Sequence, residues 1–133
     1  MHVGQDDGSV ADARASVGPH RIVGRSTHSP AQGAAAAADP DVDYLAVGPV
    51  HTTPTKPGRP AAGLAYVEWA ATHVTKPWFA IGGLDAANVG AASERGATRI
   101  VVVRAITGAA DPAAAAQALR ERLTEGRVGA AQT

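Results

Sequence analysis

The sequence predicts an α/β fold built on a parallel sheet, and three observations carry that prediction. Short apolar runs alternate with longer stretches of helical character along the whole chain. The runs are continuously apolar instead of alternating, as in parallel strands covered on both faces. Helix-starting signals stand in the gaps between them.

In order, the strand-like runs are Arg21-Ile22-Val23-Gly24, Asp43-Tyr44-Leu45-Ala46-Val47-Gly48, Trp78-Phe79-Ala80-Ile81-Gly82-Gly83 and Arg99-Ile100-Val101-Val102-Val103, with His2-Val3-Gly4 as the tail of a further strand. Ser9 followed by Asp12 approximates a capping box ahead of a helix over Val10 to Val17. Ser29-Pro30 and Asp111-Pro112 each put a capping side chain before a proline at the first helical position. Asp85 caps a helix running to about Arg95, with Gly96 as terminator. Gly63 to His73 reads as another helix, ended before Lys76-Pro77. Ala34 to Ala38 lies within a helical stretch. Repeated strand–helix units imply right-handed crossovers. Residues 1–125 form the expected domain, and the small, polar stretch 126–133 is expected to be a disordered tail. Four strands and a fragment suit an open sheet or half of a (β/α)8 barrel. A whole barrel takes at least ~200 residues, more than the 133 here.

Composition narrows the class of function. Apolar residues make up 45% and charged residues 18%, so the chain is globular in character. Aromatics are only 4%, which leaves the core to Val, Ile, Leu and Ala. Twelve basic and 12 acidic residues cancel, and no basic block points to nucleic acid or to an anionic membrane surface. The absence of cysteine removes disulfides, thiolate metal sites and cysteine nucleophiles together. No apolar run approaches the ~20 residues of a membrane span, and the N-terminus lacks a signal pattern. A cytoplasmic location is expected.

The notable polar residues all follow the strand-like runs, the end at which parallel α/β folds bind ligands. They are Gln5, Asp6 and Asp7 after the first; Ser26, Thr27 and His28 after the second; the loop from Pro49 through Thr53-Pro54-Thr55-Lys56 to Gly58 after the third; Gly82-Gly83 after the fourth; and Arg104 at the end of the fifth. Hydroxyls, a lysine, paired glycines and carboxylates are the parts of a phosphate site with a hard cation. Glycines admit backbone N–H groups to phosphate oxygens, and Mg2+ takes a few carboxylate and phosphate oxygens and keeps water elsewhere. Each has a plainer alternative. Asp6 and Asp7 suit the positive end of a helix, the Thr-Pro-Thr-Lys-Pro-Gly stretch a stiff loop, and Gly82-Gly83 a strand-end turn. Ser26 and Thr27 suit a strand end, and Ser29 a cap. His28 suits packing or hydrogen bonding, since no second histidine stands at metal-site spacing; His20, His51 and His73 are likewise without one.

In that order the motifs resemble the thiamine phosphate synthase family. The pieces are His2-Val3-Gly4-Gln5-Asp6-Asp7, Gly24-Arg25-Ser26-Thr27-His28-Ser29, Val47-Gly48-Pro49-Val50 through Thr53-Pro54-Thr55-Lys56, Ala80-Ile81-Gly82-Gly83-Leu84 and Val102-Val103-Arg104-Ala105-Ile106. The Thr-Pro-Thr-Lys loop is the most specific of them; the double glycine is shared by many phosphate-binding barrels. The resemblance implies a partial (β/α)8 barrel of α/β class, roughly its last four to five βα units. It also implies a transferase that joins hydroxymethylpyrimidine diphosphate to a thiazole phosphate, giving thiamine phosphate and pyrophosphate. By the same carry-over Asp7 binds Mg2+, Ser26 and Lys56 hold the pyrimidine diphosphate, and Thr53, Pro54, Thr55, Gly83, Val103 and Arg104 surround the thiazole phosphate. No residue is assigned as acid or base.

Two departures accompany the resemblance. Arg104 stands where a serine is common in the family, and an arginine there still suits a phosphate. The family's first three strands, with a basic diphosphate clamp and a second Mg2+-binding aspartate, have no counterpart before His2. A synthase-type domain that needs an N-terminal half, or is inactive as it stands, is therefore the first expectation. A thiazole tautomerase relative, with His28 as acid and base, is the second, and the Thr-Pro-Thr-Lys loop argues against it. A non-catalytic phosphate-binding remnant is the third. An open half-barrel has unpaired edges near His2 and near Arg99 to Val103, so self-association or pairing with an N-terminal half is also expected.

Overall fold

The computed structural model describes residues 1–51 and 62–132, with the backbone alone from residue 124 onward. Five parallel strands lie side by side in chain order: β1 (His2–Val3), β2 (Gly24–Thr27), β3 (Tyr44–Val47), β4 (Trp78–Ile81) and β5 (Ile100–Val101). Between and after them run α1 (Val10–Val17), α2 (Pro30–Ala38), α3 (Gly63–His73), α4 (Val89–Glu94), the single turn α5 (Arg104–Thr107) and α6 (Pro112–Gln132). The backbone of α6 passes through the stretch expected as a tail.

The strand order decides between the two architectures left open by the sequence. A doubly wound sheet reverses its order at a switch point; here the order never reverses. Right-handed crossovers in unbroken sequence put every connecting helix on the same face, and the sheet is an arc of a barrel wall. Side chains sort accordingly. Val3, Val23, Leu45, Val47, Trp78 and Ala80 are buried in one core with Ala36, Tyr66, Val67 and Ala70 of the helices. The alternate positions His2, Ser26, Tyr44, Phe79, Ile81 and Val101 point the other way and are half-buried or exposed, with only the small Ala46 buried among them. The strands are thus covered on one face, where the continuous apolar runs had predicted two.

Local signals formed as expected at three helix starts. Ser9 accepts from the Asp12 N–H at 3.0 Å, Ser29 from Gln32 N–H at 3.3 Å, and Asp111 from Ala114 N–H at 3.1 Å. Asp85 accepts from Ala87 and Asn88, but regular helix begins only at Val89. Gly96 does end that segment, at φ +108°.

The second strand is displaced from its expected place. Residues 21–24 were read as the strand, yet Ile22 is 64% exposed and β2 is the polar run Gly24–Thr27. Pairing outweighs local apolarity here, because Gly24 aligns with both His2 and Tyr44, and Thr27 with Val47. The polar side chains of β2 are satisfied by neighbours. Arg25 donates to Gly4 O at 2.8 Å and to Gln5 Oε1 at 3.3 Å. Thr27 Oγ1 donates to Ala46 O at 2.8 Å. Since that uses its only proton, the Tyr66 hydroxyl at 2.5 Å must donate to Thr27. Burial pushes the Tyr66 hydroxyl above its ordinary pKa.

At the N-terminal ends of the strands, Arg14 ties β2 to β3. It donates to the carbonyls of Gly18, Arg21 and Asp41 and to the Asp43 carboxylate at 2.8 Å. Asp43 also accepts from Val23 N–H at 2.8 Å. That backbone bond, and then Arg14, holds the Asp43 carboxyl below the usual carboxylate range. An open groove lies here, lined by Arg14, Ala15, Gly18, Pro19, Pro40, Asp41 and Asp43. Conserving strand registry is the work of this end; ligands in such folds bind at the other.

Candidate functional site

Because all strands are parallel, the segments that follow them emerge at one end of the sheet. Asp7 follows β1, Ser26 is the next-to-last residue of β2, Gly83 follows β4, and Val103 and Arg104 follow β5. The order of the sheet divides these into two neighbouring groups. Asp7 and Ser26 belong to the adjacent pair β1–β2; Gly83, Val103 and Arg104 belong to the adjacent pair β4–β5.

Between them stands β3, whose following loop carries Thr53, Pro54, Thr55 and Lys56. These four lie outside the described residues, but the two ends of the loop are fixed. Val50 N–H donates to Ile81 O at 2.9 Å and His51 N–H to Gly82 O at 3.1 Å. Ala62 N–H donates to Pro49 O at 2.7 Å, so the chain leaves and returns over the C-terminal end of β3. His28 steadies the same place, its Nδ1 donating to Gly48 O at 2.7 Å. Gln32 Oε1 in turn accepts from His28 N–H at 2.8 Å.

The approach of this segment to β4 explains the first of the paired glycines. Gly82 has φ +107°, and a Cβ there would stand 2.5 Å from Pro49 Cβ and 2.6 Å from its Cα. Gly83 also has positive φ, +66°. Only glycine takes both conformations freely. Beyond it Asn88 Nδ2 donates to Gly83 O at 2.8 Å while its Oδ1 accepts from Asp85 N–H at 2.9 Å, closing the turn. Val103 is 60% exposed and Arg104 is exposed at the start of α5, so both present side chains to solvent at the strand end.

On the β1–β2 side the backbone is held by Gln5, whose Nε2 donates to Ser26 O at 2.7 Å. Asp7 is exposed, and one carboxylate oxygen accepts from Gly4 N–H at 2.7 Å. Among the described residues no group of three or more His, Asp or Glu side chains is arranged to hold a metal ion. One carboxylate at this position fits a cation shared with phosphate oxygens and water, as Mg2+ prefers, and does not fit an all-protein cage.

Sequence reasoning missed the surroundings of Ser26. Its Oγ lies 2.7 Å from His2 Nε2, and His2 Nδ1 lies 2.9 Å from the Tyr44 hydroxyl. The His2 and Tyr44 rings stack with centroids 5.7 Å apart, and Phe79 meets Tyr44 edge-on at 5.5 Å. In sequence His2 has a place in a strand and in a motif and Tyr44 a place in an apolar strand, and neither has a role beside Ser26. No local signal could have found them, because only the inter-strand register puts His2 and Tyr44 on the face of Ser26.

Known proteins share both the sequence and the fold of this chain. The sequence model of thiamine monophosphate synthase matches residues 1–106. The chain is 59% identical over 124 residues to a thiamine-phosphate synthase of Thermus thermophilus, covering 92% of this chain and 59% of that one. It is 55% identical to a thiamine-phosphate synthase of Mycobacterium sp. strain KMS, covering 92% of this chain and 54% of that one. In structure it is similar to a thiamine phosphate pyrophosphorylase from Pyrococcus furiosus, with a TM-score of 0.83 and 28% identity over 95% of this chain and 59% of that chain. The chain therefore spans between half and two thirds of the length of these relatives.

Proposed function

The chain belongs to the thiamine monophosphate synthase family, and from that premise we propose that it serves the transfer of a pyrimidinylmethyl group from hydroxymethylpyrimidine diphosphate to a thiazole phosphate. The products are thiamine phosphate and pyrophosphate. The observation that carries the reading is the division of the strand ends into two groups. Asp7, after β1, and Ser26, in the adjacent β2, take the diphosphate; Gly83, after β4, with Val103 and Arg104, after β5, takes the thiazole phosphate. The loop bearing Thr53, Pro54, Thr55 and Lys56 starts and ends between the two groups, with Lys56 serving the first and the threonines and proline the second.

In this reaction the bond from the methylene carbon to the diphosphate oxygen breaks with its electron pair leaving on pyrophosphate. The thiazole nitrogen then gives its lone pair to the carbon. Charge stabilisation on the leaving group matters more than proton abstraction, which suits a site with hydroxyls, a lysine and one carboxylate. Asp7 would hold Mg2+, whose contribution when bound is to neutralise pyrophosphate charge. Ser26 orients a phosphate oxygen, and Arg104 gives the thiazole phosphate a charged, forked donor. A cytoplasmic location goes with this reading, and no helix among the described residues is long and apolar enough to cross a membrane. We propose self-association, or pairing with an N-terminal half, through the free edges of β1 and β5.

Calorimetry with thiazole phosphate tests the assignment. Binding is expected, with loss on Gly83→Val, which puts a branched side chain at positive φ, and a drop of about ten-fold or more on Arg104→Gln, which removes a charged contact. Circular dichroism controls for folding. Undiminished affinity in a folded Arg104→Gln protein would overturn it.

A further inference from the structure

Ser26 is the terminus of a hydrogen-bonded row that crosses three strands. His2 on β1, Gly24 on β2 and Tyr44 on β3 occupy the same register position. Strands next but one to each other are about 10 Å apart, too far for ordinary neighbours to touch. Tyr44 nonetheless reaches His2, because its ring leans across Gly24. A Cβ at Gly24 would stand 2.0 Å from Tyr44 Cζ and 2.4 Å from each Cε. The glycine thus opens the path by which the Tyr44 hydroxyl comes within 2.9 Å of His2 Nδ1, while His2 Nε2 stands 2.7 Å from Ser26 Oγ.

A neutral imidazole has one N–H and one lone pair, so the two contacts are coupled. If Nδ1 carries the proton, it donates to Tyr44, and the Ser26 hydroxyl spends its own proton on Nε2. If Nε2 carries the proton, Tyr44 donates to Nδ1, Nε2–H donates to Ser26 Oγ, and the Ser26 proton is released to a ligand. An anion beside Ser26 favours the second arrangement, since a hydrogen bond to a charged oxygen is the stronger one.

We propose that His2 and Tyr44 are positioning residues for the leaving pyrophosphate, turning the Ser26 hydroxyl into a donor through a one-directional chain from Tyr44 to His2 to Ser26 to phosphate oxygen. The proposal rests on the placement of Ser26 at the diphosphate. Changing the tautomer takes a proton off Nδ1 and puts one on Nε2 by exchange with solvent; after that each proton stays on its own heavy atom.

A double-mutant cycle with inorganic pyrophosphate as the probe tests it on the full chain. Ser26→Ala should weaken pyrophosphate binding about ten-fold, and Tyr44→Phe, which keeps the ring over Gly24, about three- to five-fold. In the Ser26→Ala background Tyr44→Phe should cost nothing, because the chain then has no end. Nitrogen NMR of His2 should show the Nε2–H tautomer with pyrophosphate bound. If pyrophosphate fails to bind, or Ser26→Ala leaves its affinity unchanged, the placement of Ser26 falls and the proposal with it. If Ser26→Ala weakens binding while Tyr44→Phe costs nothing, or costs the same in both backgrounds, the relay alone is overturned. Thiazole phosphate binding should be untouched by either substitution, which separates this outcome from failure of the synthase reading at β4–β5.

Discussion

Tyr44 and Gly24 are direct partners across the β2–β3 ladder, and the hydroxyl end of the tyrosine ring fills the space that a side chain on Gly24 would need. The pair joins stability to function, since the ring that packs on the glycine also bonds His2. Gly24→Ala should therefore destabilise the fold by about 1–3 kcal/mol, the usual cost of overpacking. Thermal unfolding checks this, and adding Tyr44→Ala to Gly24→Ala should recover part of the loss. A Gly24→Ala protein as stable as the parent would show that the ring moves aside at no cost.

Thr27 and Tyr66 make the second test. Thr27 is 1% exposed and passes its proton to Ala46 O while accepting from Tyr66. Thr27→Val leaves a carbonyl and a buried hydroxyl unpaired and should cost about 1–3 kcal/mol, whereas Tyr66→Phe removes a single bond and should cost about 1 kcal/mol. Urea midpoints at constant slope would rank them; the reverse order would refute the assigned direction of donation.

Acid should weaken the end of the sheet opposite the site. The Val23 N–H and Arg14 hold the Asp43 pKa below its ordinary value, so the folded state binds fewer protons than the unfolded one. Its contribution is complete above the unfolded value near ~4 and is lost as pH falls toward the lowered folded value. Asp43→Asn should lower stability at neutral pH and make the acid limb of the stability curve shallower. An unchanged acid limb would assign the loss to other carboxylates.

The two sheet edges predict association. Among the described residues β1 pairs only with β2 and β5 only with β4, and Val101 and Val103 are 39% and 60% exposed. Edges of this kind are templates for further pairing. Sedimentation at low micromolar concentration should show dimers or larger species; a monomer that unfolds cooperatively would count against the proposal.

The sequence by itself determined the class of fold and roughly where in the chain the strands end. Continuous runs such as Tyr44–Val47 and Trp78–Ile81, with Ser9, Ser29 and Asp111 as caps, carry their structure locally, since each depends on residues within one turn or one strand. Asp7 and Gly83 were singled out because they follow such runs, and Ser26 because it follows the apolar residues 21–24. Tertiary structure alone decided where β2 lies. Its residues are polar, and only pairing on both sides with β1 and β3 makes Gly24–Thr27 the strand in place of the more apolar Ile22-Val23. It also decided the company of Ser26. His2, Gly24 and Tyr44 are separated by 22 and 20 positions in the chain, and no local pattern marks them as one row. Register joins them, because parallel strands bring residues distant in sequence to the same height, and the missing Cβ of Gly24 lets two of them meet.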